Sequence, residues 1–150
     1  MKSLHDRKIV FSLFGLVLGR LKNARVLIPI RDALDEMLVR ESFFSDAPFL
    51  WIGVTLKYGI KNDLHFVFER INKKYGDLPI TLELDMQILQ WADQHNLDLL
   101  RDIFMIAGLE AVIQVGKKYK LPVEAFVQER AKYDTIPNTI EECEGYKNSF

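Results

Sequence analysis

The run Phe68-Glu69-Arg70-Ile71-Asn72-Lys73-Lys74-Tyr75-Gly76-Asp77-Leu78-Pro79-Ile80-Thr81-Leu82-Glu83-Leu84-Asp85 constrains the fold more than any other stretch of this chain. It carries its own punctuation. Gly76 tolerates a positive φ, Asp77 can bond its own backbone, and Pro79 keeps the residue before it out of the helical region. After that turn Ile80, Leu82 and Leu84 alternate with Thr81, Glu83 and Asp85, the period of a strand with one buried face. The run therefore predicts a strand over Leu64–Lys73, a tight turn, a second strand, and a helix capped by Asp85.

The residues before it extend the pattern. Leu50, Ile52, Val54, Leu56 and Tyr58 share one face of an expected strand, with Phe49, Trp51, Gly53, Thr55 and Lys57 on the other. Gly59 to Asp63 reads as a turn. Three strands joined by short loops predict an antiparallel meander. Farther upstream, Ile9 to Gly19 is nearly all apolar and follows Lys2, Arg7 and Lys8. That resembles the start of a secretory signal, but no small-x-small cleavage site follows, and a strand buried on both faces fits the run. Between Asn23 and Glu41 the period turns helical, with Leu27, Ile30, Leu34 and Leu38 as the stripe and Pro29 acceptable only in the first turn. Ser42 to Pro48 is a connection, with Phe43 and Phe44 expected to tuck beneath the helix.

Downstream the reading is helical. Met86 begins a helix that Asn96 to Asp98 breaks, with Asp98 as the expected cap of the next. Leu99 to Tyr119 is apolar nearly all round, which marks a core helix. Gly108 and Gly116 each weaken it by about 1 kcal/mol relative to Ala, so packing must hold it. Leu121-Pro122 ends it, and Val123 to Lys132 forms a last helix. The expected architecture is α+β: an N-terminal strand and helix, a three-stranded antiparallel meander, then a C-terminal helical layer packed on the sheet. One domain spans residues 1–133, and residues 134–150 form a loosely ordered acidic tail, with four acids against one Lys.

Composition narrows the function classes. A 150-residue chain with 27% charged residues and a net charge of −1 gives no overall pull toward nucleic acid or an anionic membrane. Cys143 is the single cysteine, which excludes an internal disulfide, and its neighbours Glu141, Glu142 and Glu144 disfavour a reactive thiolate. His5, His65 and His95 stand in separate elements without the spacing of metal ligands on a helix. Gly116-Lys117-Lys118 lies at a helix C-terminus, the wrong end for phosphate. No cofactor or metal is expected. Glu69 and Glu83 on neighbouring strands could act as an acid and a base, but Arg70, Lys73 and Lys74 are at hand to make them ordinary cross-strand ion pairs. Aromatic residues interleaved with charges, Trp51, Tyr58 and Tyr75 among Lys57, Glu69 and Arg70, suit a protein-binding surface.

Several stretches are informative together: Gly19-Arg20-Leu21-Lys22-Asn23, Lys57-Tyr58-Gly59, Arg70 through Pro79, Ile103-Phe104-Met105-Ile106-Ala107, Gly116-Lys117-Lys118-Tyr119 and Leu121-Pro122. In that order, over residues 19–130, the chain resembles bacterial immunity protein family 39, small cytoplasmic proteins encoded beside polymorphic toxins. The resemblance implies a protein without catalysis that binds and blocks a cognate protein toxin, with no direct nucleic-acid or membrane partner, as a monomer or weak homodimer. It brings no toxin-binding positions of its own. The contacts expected on the meander are Trp51, Lys57, Tyr58, Asp63, Glu69, Arg70, Tyr75, Asp77 and Glu83. Against a nuclease toxin, whose groove is basic, Asp63, Glu69, Asp77, Glu83 and Asp85 would speed association. The competing readings are a small hydrolase using Glu69, Glu83 and His65, and a homodimeric structural module joined through the aromatic sheet face.

Overall fold

The computed structural model describes residues 8–10, 21–41, 49–51, 55–62, 68–72, 76–79 and 83–146. In chain order these hold β1 (Lys8–Val10), a 3-10 turn (Ala24–Leu27), α1 (Ile28–Arg40), β2 (Phe49–Trp51), β3 (Thr55–Lys57), β4 (Phe68–Asn72), β5 (Gly76–Pro79), β6 (Glu83–Asp85), α2 (Met86–His95), α3 (Leu97–Tyr119), α4 (Glu124–Arg130) and α5 (Ile140–Glu144). The described protein is mostly helical, and the expected α+β fold with a three-stranded antiparallel meander is overturned.

The described strands run for only three to five residues and pair two by two: β1 parallel to β2, β3 parallel to β6, and β4 antiparallel to β5. Gly76 to Pro79, read from sequence as the turn, is itself a strand. In it Asp77 lies opposite Arg70 and Gly76 opposite Asn72, with a bulge between those pairs. Pro79 closes β5, opposite Phe68. The alternation ending at Asp85 does report an extended segment, but β6 runs parallel to β3, with Leu84 opposite Leu56. A period of two marks a buried face and is silent about partner and direction. Residues 11–19 of the expected first strand, and the Phe43-Phe44 pair, lie outside the described residues.

The core is built on α3. Leu99, Leu100, Phe104, Ala107, Leu109, Ala111, Val112 and Val115 are completely buried, and Ile103, Ile106 and Ile113 nearly so. Each fully buried Leu, Ile, Val or Phe contributes roughly 1.5–3 kcal/mol of transfer free energy, so a helix apolar all round has to sit in the middle. Its described neighbours are α1, α2, α4 and the 3-10 turn, not a sheet layer. Asn96, rather than Asp98, caps it: the backbone of Asn96 is extended and its side chain accepts from the Leu99 amide at 3.1 Å. Asp98 sits in the first turn and pairs with Arg101 at 2.7 Å. At the far end Lys120 adopts φ 57°, and the Leu121 amide closes on the Gly116 carbonyl at 2.8 Å. The left-handed residue that usually is glycine is here a lysine.

α1 carries Pro29 in its first turn and buries Leu34, Met37 and Leu38. Where it crosses α3, Gly108 lets the backbones approach. A Cβ built on Gly108 would stand 2.4 Å from Leu34 Cδ1. Asp93 of α2 is buried and ties the entry to α1: its two carboxylate oxygens accept from the Lys22 and Asn23 amides, each at 2.8 Å, while Asn23 Nδ2 donates to the Asp93 carbonyl.

The C-terminal residues differ most from the loose tail that their composition suggests. Thr139 caps α5 by accepting from the Glu142 amide, and Cys143 and Ile136 are buried in the common core. The Tyr146 hydroxyl donates to Asp102 on α3. Four acids are poor evidence of disorder when apolar residues stand between them at packing positions.

Candidate functional site

The residues brought together by β3, β6 and the first turns of α2 form the best-defined polar surface among the expected contacts. β3 ends at Lys57, and the chain turns at Gly59, whose φ is +70°, a conformation that suits glycine. That turn puts Tyr58 outward, 65% exposed. The ring is held at its tip, because Gln90 Nε2 on α2 donates to the Tyr58 hydroxyl at 3.1 Å. Beside it Lys57 Nζ lies 3.4 Å from Glu83 Oε1 on β6. With Lys57 exposed and Glu83 half-buried at the surface, that pair contributes at most about 1 kcal/mol and serves mainly to hold two charges in place. Lys61 is exposed on the same loop.

Beneath this surface the loop 58–62 is fixed by buried and half-buried groups. The carboxylate of Asp85, 4% exposed, accepts from the Gln87 amide at 3.0 Å as the helix cap expected from sequence, and from the Gly59 amide at 3.3 Å. The Asp85 amide in turn donates to Asn62 Oδ1 at 2.7 Å. Asn62 Nδ2 donates to the Pro137 carbonyl at 2.6 Å, and the Asn62 amide donates to Asn138 Oδ1 at 2.7 Å. One asparagine thus joins the loop, the start of α2 and the C-terminal segment. Sequence placed Asn62 only as a turn residue, and nothing in its neighbourhood signals partners more than seventy positions away.

The other expected contacts are placed less completely. Trp51, Glu69, Arg70 and Asp77 are located by backbone alone, in β2, β4, β4 and β5; Asp63, Tyr75 and His65 lie outside the described residues. The expected carboxylate pair does not form across a ladder. Glu69 stands opposite Leu78, whereas Glu83 stands opposite Thr55 in a different ladder and pairs with Lys57.

Elsewhere the titratable groups are held for structure. Burial, followed by the charge of Glu142, pushes the Cys143 thiol up to about 11, which leaves it protonated and a poor nucleophile at neutral pH. Burial also raises the Asp102 carboxyl, against the opposing hydrogen bond from Tyr146, and burial together with that bond raises the Tyr146 hydroxyl. His95 stacks on Trp91 with ring centroids 4.8 Å apart and turns Nδ1 toward the Trp91 carbonyl at 3.0 Å. A cleft of about 400 Å³ lies between Asp134, Thr135, Pro137, Glu142, Gly145 and Tyr146. Among the described residues no group of three His, Cys, Asp or Glu is placed to hold a metal ion, and no helix is long and apolar enough to cross a membrane. What the Lys57–Tyr58 surface can do is present an anchored aromatic ring inside a rim of charges, the chemistry of protein recognition.

No curated protein and no solved structure matches this chain. A family model does, and it reaches farther toward the N-terminus than the motifs described above. The family described as Immunity protein 39 matches residues 3–132, and the chain belongs to it.

Proposed function

We propose that this protein neutralises a cognate toxin by binding it stoichiometrically and covering its active site, with no reaction of its own. Membership of the immunity family is the observation that carries this reading. The surface at Lys57, Tyr58 and Glu83 supports it: a 65% exposed tyrosine already tethered by Gln90 loses little rotamer freedom on docking. Trp51, Asp63, Glu69, Arg70, Tyr75 and Asp77 are the further contacts proposed on the strength of the sequence. For a nuclease toxin, the carboxylates among these would accelerate encounter with a basic groove in a salt-dependent way. The working compartment on this reading is the cytoplasm of the producing cell, where a monomer or weak homodimer meets the toxin.

The test is binding and neutralisation of the polypeptide encoded immediately upstream, with purified proteins. A tight complex with loss of toxicity is expected. Tyr58→Ala should then weaken the complex by about 10-fold or more, as an aromatic anchor does, while leaving unfolding free energy within about 0.5 kcal/mol. A complex whose affinity ignores Tyr58, Lys57 and Glu83 together would move the contact face elsewhere. Absence of both binding and rescue would remove the reading for that partner.

A further inference from the structure

The family match ends at residue 132, yet the loop 58–62 is completed by residues beyond it. Asn62 is the link, through its amide to Asn138 Oδ1 and its Nδ2 to the Pro137 carbonyl. The segment that supplies those acceptors is itself fastened to the core and braced internally. Ile136 and Cys143 are buried in the core, Glu142 accepts from the Asn138 amide at 2.7 Å, and Tyr146 donates to Asp102. α5 also packs against α2, the helix whose Gln90 tethers Tyr58. The loop is therefore held on one side by α2 and on the other by residues 137 and 138.

We propose that residues 136–146 are a clamp that holds the loop 58–62 in one conformation, with Asn138 as the positioning residue and Asn62 as its receiver. The idea builds on the reading of Tyr58 as a toxin contact, since the clamp decides how that ring is presented. It assigns a role to residues outside the family-defined region. Two hydrogen bonds of 2.6 and 2.7 Å to a single half-buried asparagine are the kind of contact that selects a loop conformer, because breaking them leaves polar groups without partners. A merely solvated acidic tail would leave the loop indifferent to Asn138.

The clamp is tested on the full chain without any toxin. Amide hydrogen exchange is measured for the wild type, for Asn138→Ala, which removes the acceptor, and for Asn138→Asp, which keeps an oxygen in its place. The expected result is a loss of protection of 10-fold or more at the Asn62 and Gly59 amides in N138A. Protection in α3 should stay unchanged, and N138D should recover most of the loss at Asn62. Unchanged exchange at Asn62 in N138A overturns the proposal. So does an equal loss across α3, which would make Asn138 a determinant of global stability. A second arm measures binding of the upstream-encoded polypeptide. N138A should weaken the complex through faster dissociation, and N138D should restore it. Failure of wild-type binding would refute the docking reading and with it the clamp's part in presentation, whereas the exchange arm judges the clamp by itself.

Discussion

Replacing Gly108 by Ala sets two known effects against each other at the crossing of α1 and α3. The substitution removes the backbone freedom of a glycine in a helix interior, which alone would stabilise by about 1 kcal/mol. The new methyl would, however, stand 2.4 Å from Leu34 Cδ1, so the branch of this completely buried leucine must shift within the core to make room. Overpacking of that kind costs about 1–3 kcal/mol. The expected net effect is destabilisation by about 1 kcal/mol, or a Tm lowered by about 2–4 °C for a domain of this size. Leu34→Val removes the clashing methyl groups and should by itself cost about 1–2 kcal/mol. In that background Gly108→Ala should be neutral or stabilising, so the double-mutant cycle shows a coupling of about 2 kcal/mol. Urea unfolding followed by far-UV circular dichroism measures all four proteins. If G108A stabilises the wild type as much as it stabilises L34V, the close approach of the two helices does not exist as described.

Three further outcomes follow from other places in the fold. The Cys143 thiol titrates near 9 when unfolded and near 11 when folded, so the folded state keeps its proton longer; the stability this gives is present below pH 9 and is lost as pH rises toward 11. Between pH 8 and 10.5 the wild type should lose about 2 kcal/mol more than Cys143→Ala in chemical unfolding, and equal losses would show that the thiol is not buried. Lys120→Gly relieves a left-handed residue and should stabilise by up to about 1 kcal/mol; a lower urea midpoint would refute the strain. Asp93→Ala deprives the Lys22 and Asn23 amides of their acceptor and should cost about 2–3 kcal/mol, with Asp93→Asn, which keeps one oxygen, losing less. An Asp93→Ala variant of wild-type stability would mean that water replaces the carboxylate without loss.

What the sequence made legible were features with local causes. Asp85 caps α2, Pro29 sits in the first turn of α1, and the helix apolar on every side lies at the centre of the core. Each depends on residues within a turn or two of one another. Partner choice between strands depends on residues far apart, and no local pattern carries it. Gly76 to Pro79 has turn composition but serves as a strand, and β6 pairs in parallel with β3 instead of closing a hairpin. In the C-terminal residues the acidic composition stands beside apolar positions, and Ile136 and Cys143 are buried in the core with Ile140 packed against it. Of the expected surface, Lys57, Tyr58 and Glu83 do come together, yet the hydrogen bonds that fix their loop come from Pro137 and Asn138. No local pattern announces such a bond. Asp93 left a faint trace, a carboxylate one turn beyond Leu89 on the side of α2 that also buries Ile88 and Ala92.

The wiring of Asn62 also sets a schedule for synthesis. A ribosome delivers a chain from its N-terminus at about 5–20 residues per second, and early segments can begin to pack while later ones are still being made. The loop 58–62 is translated well before the acceptors on Pro137 and Asn138, which lie 75 and 76 positions beyond Asn62. A nascent chain can therefore assemble α1 against α3 while its loop still awaits its last two hydrogen bonds. The final shape of that loop waits on residues 137 and 138, and premature termination after residue 132 would leave the loop unfinished and the core short of Ile136 and Cys143.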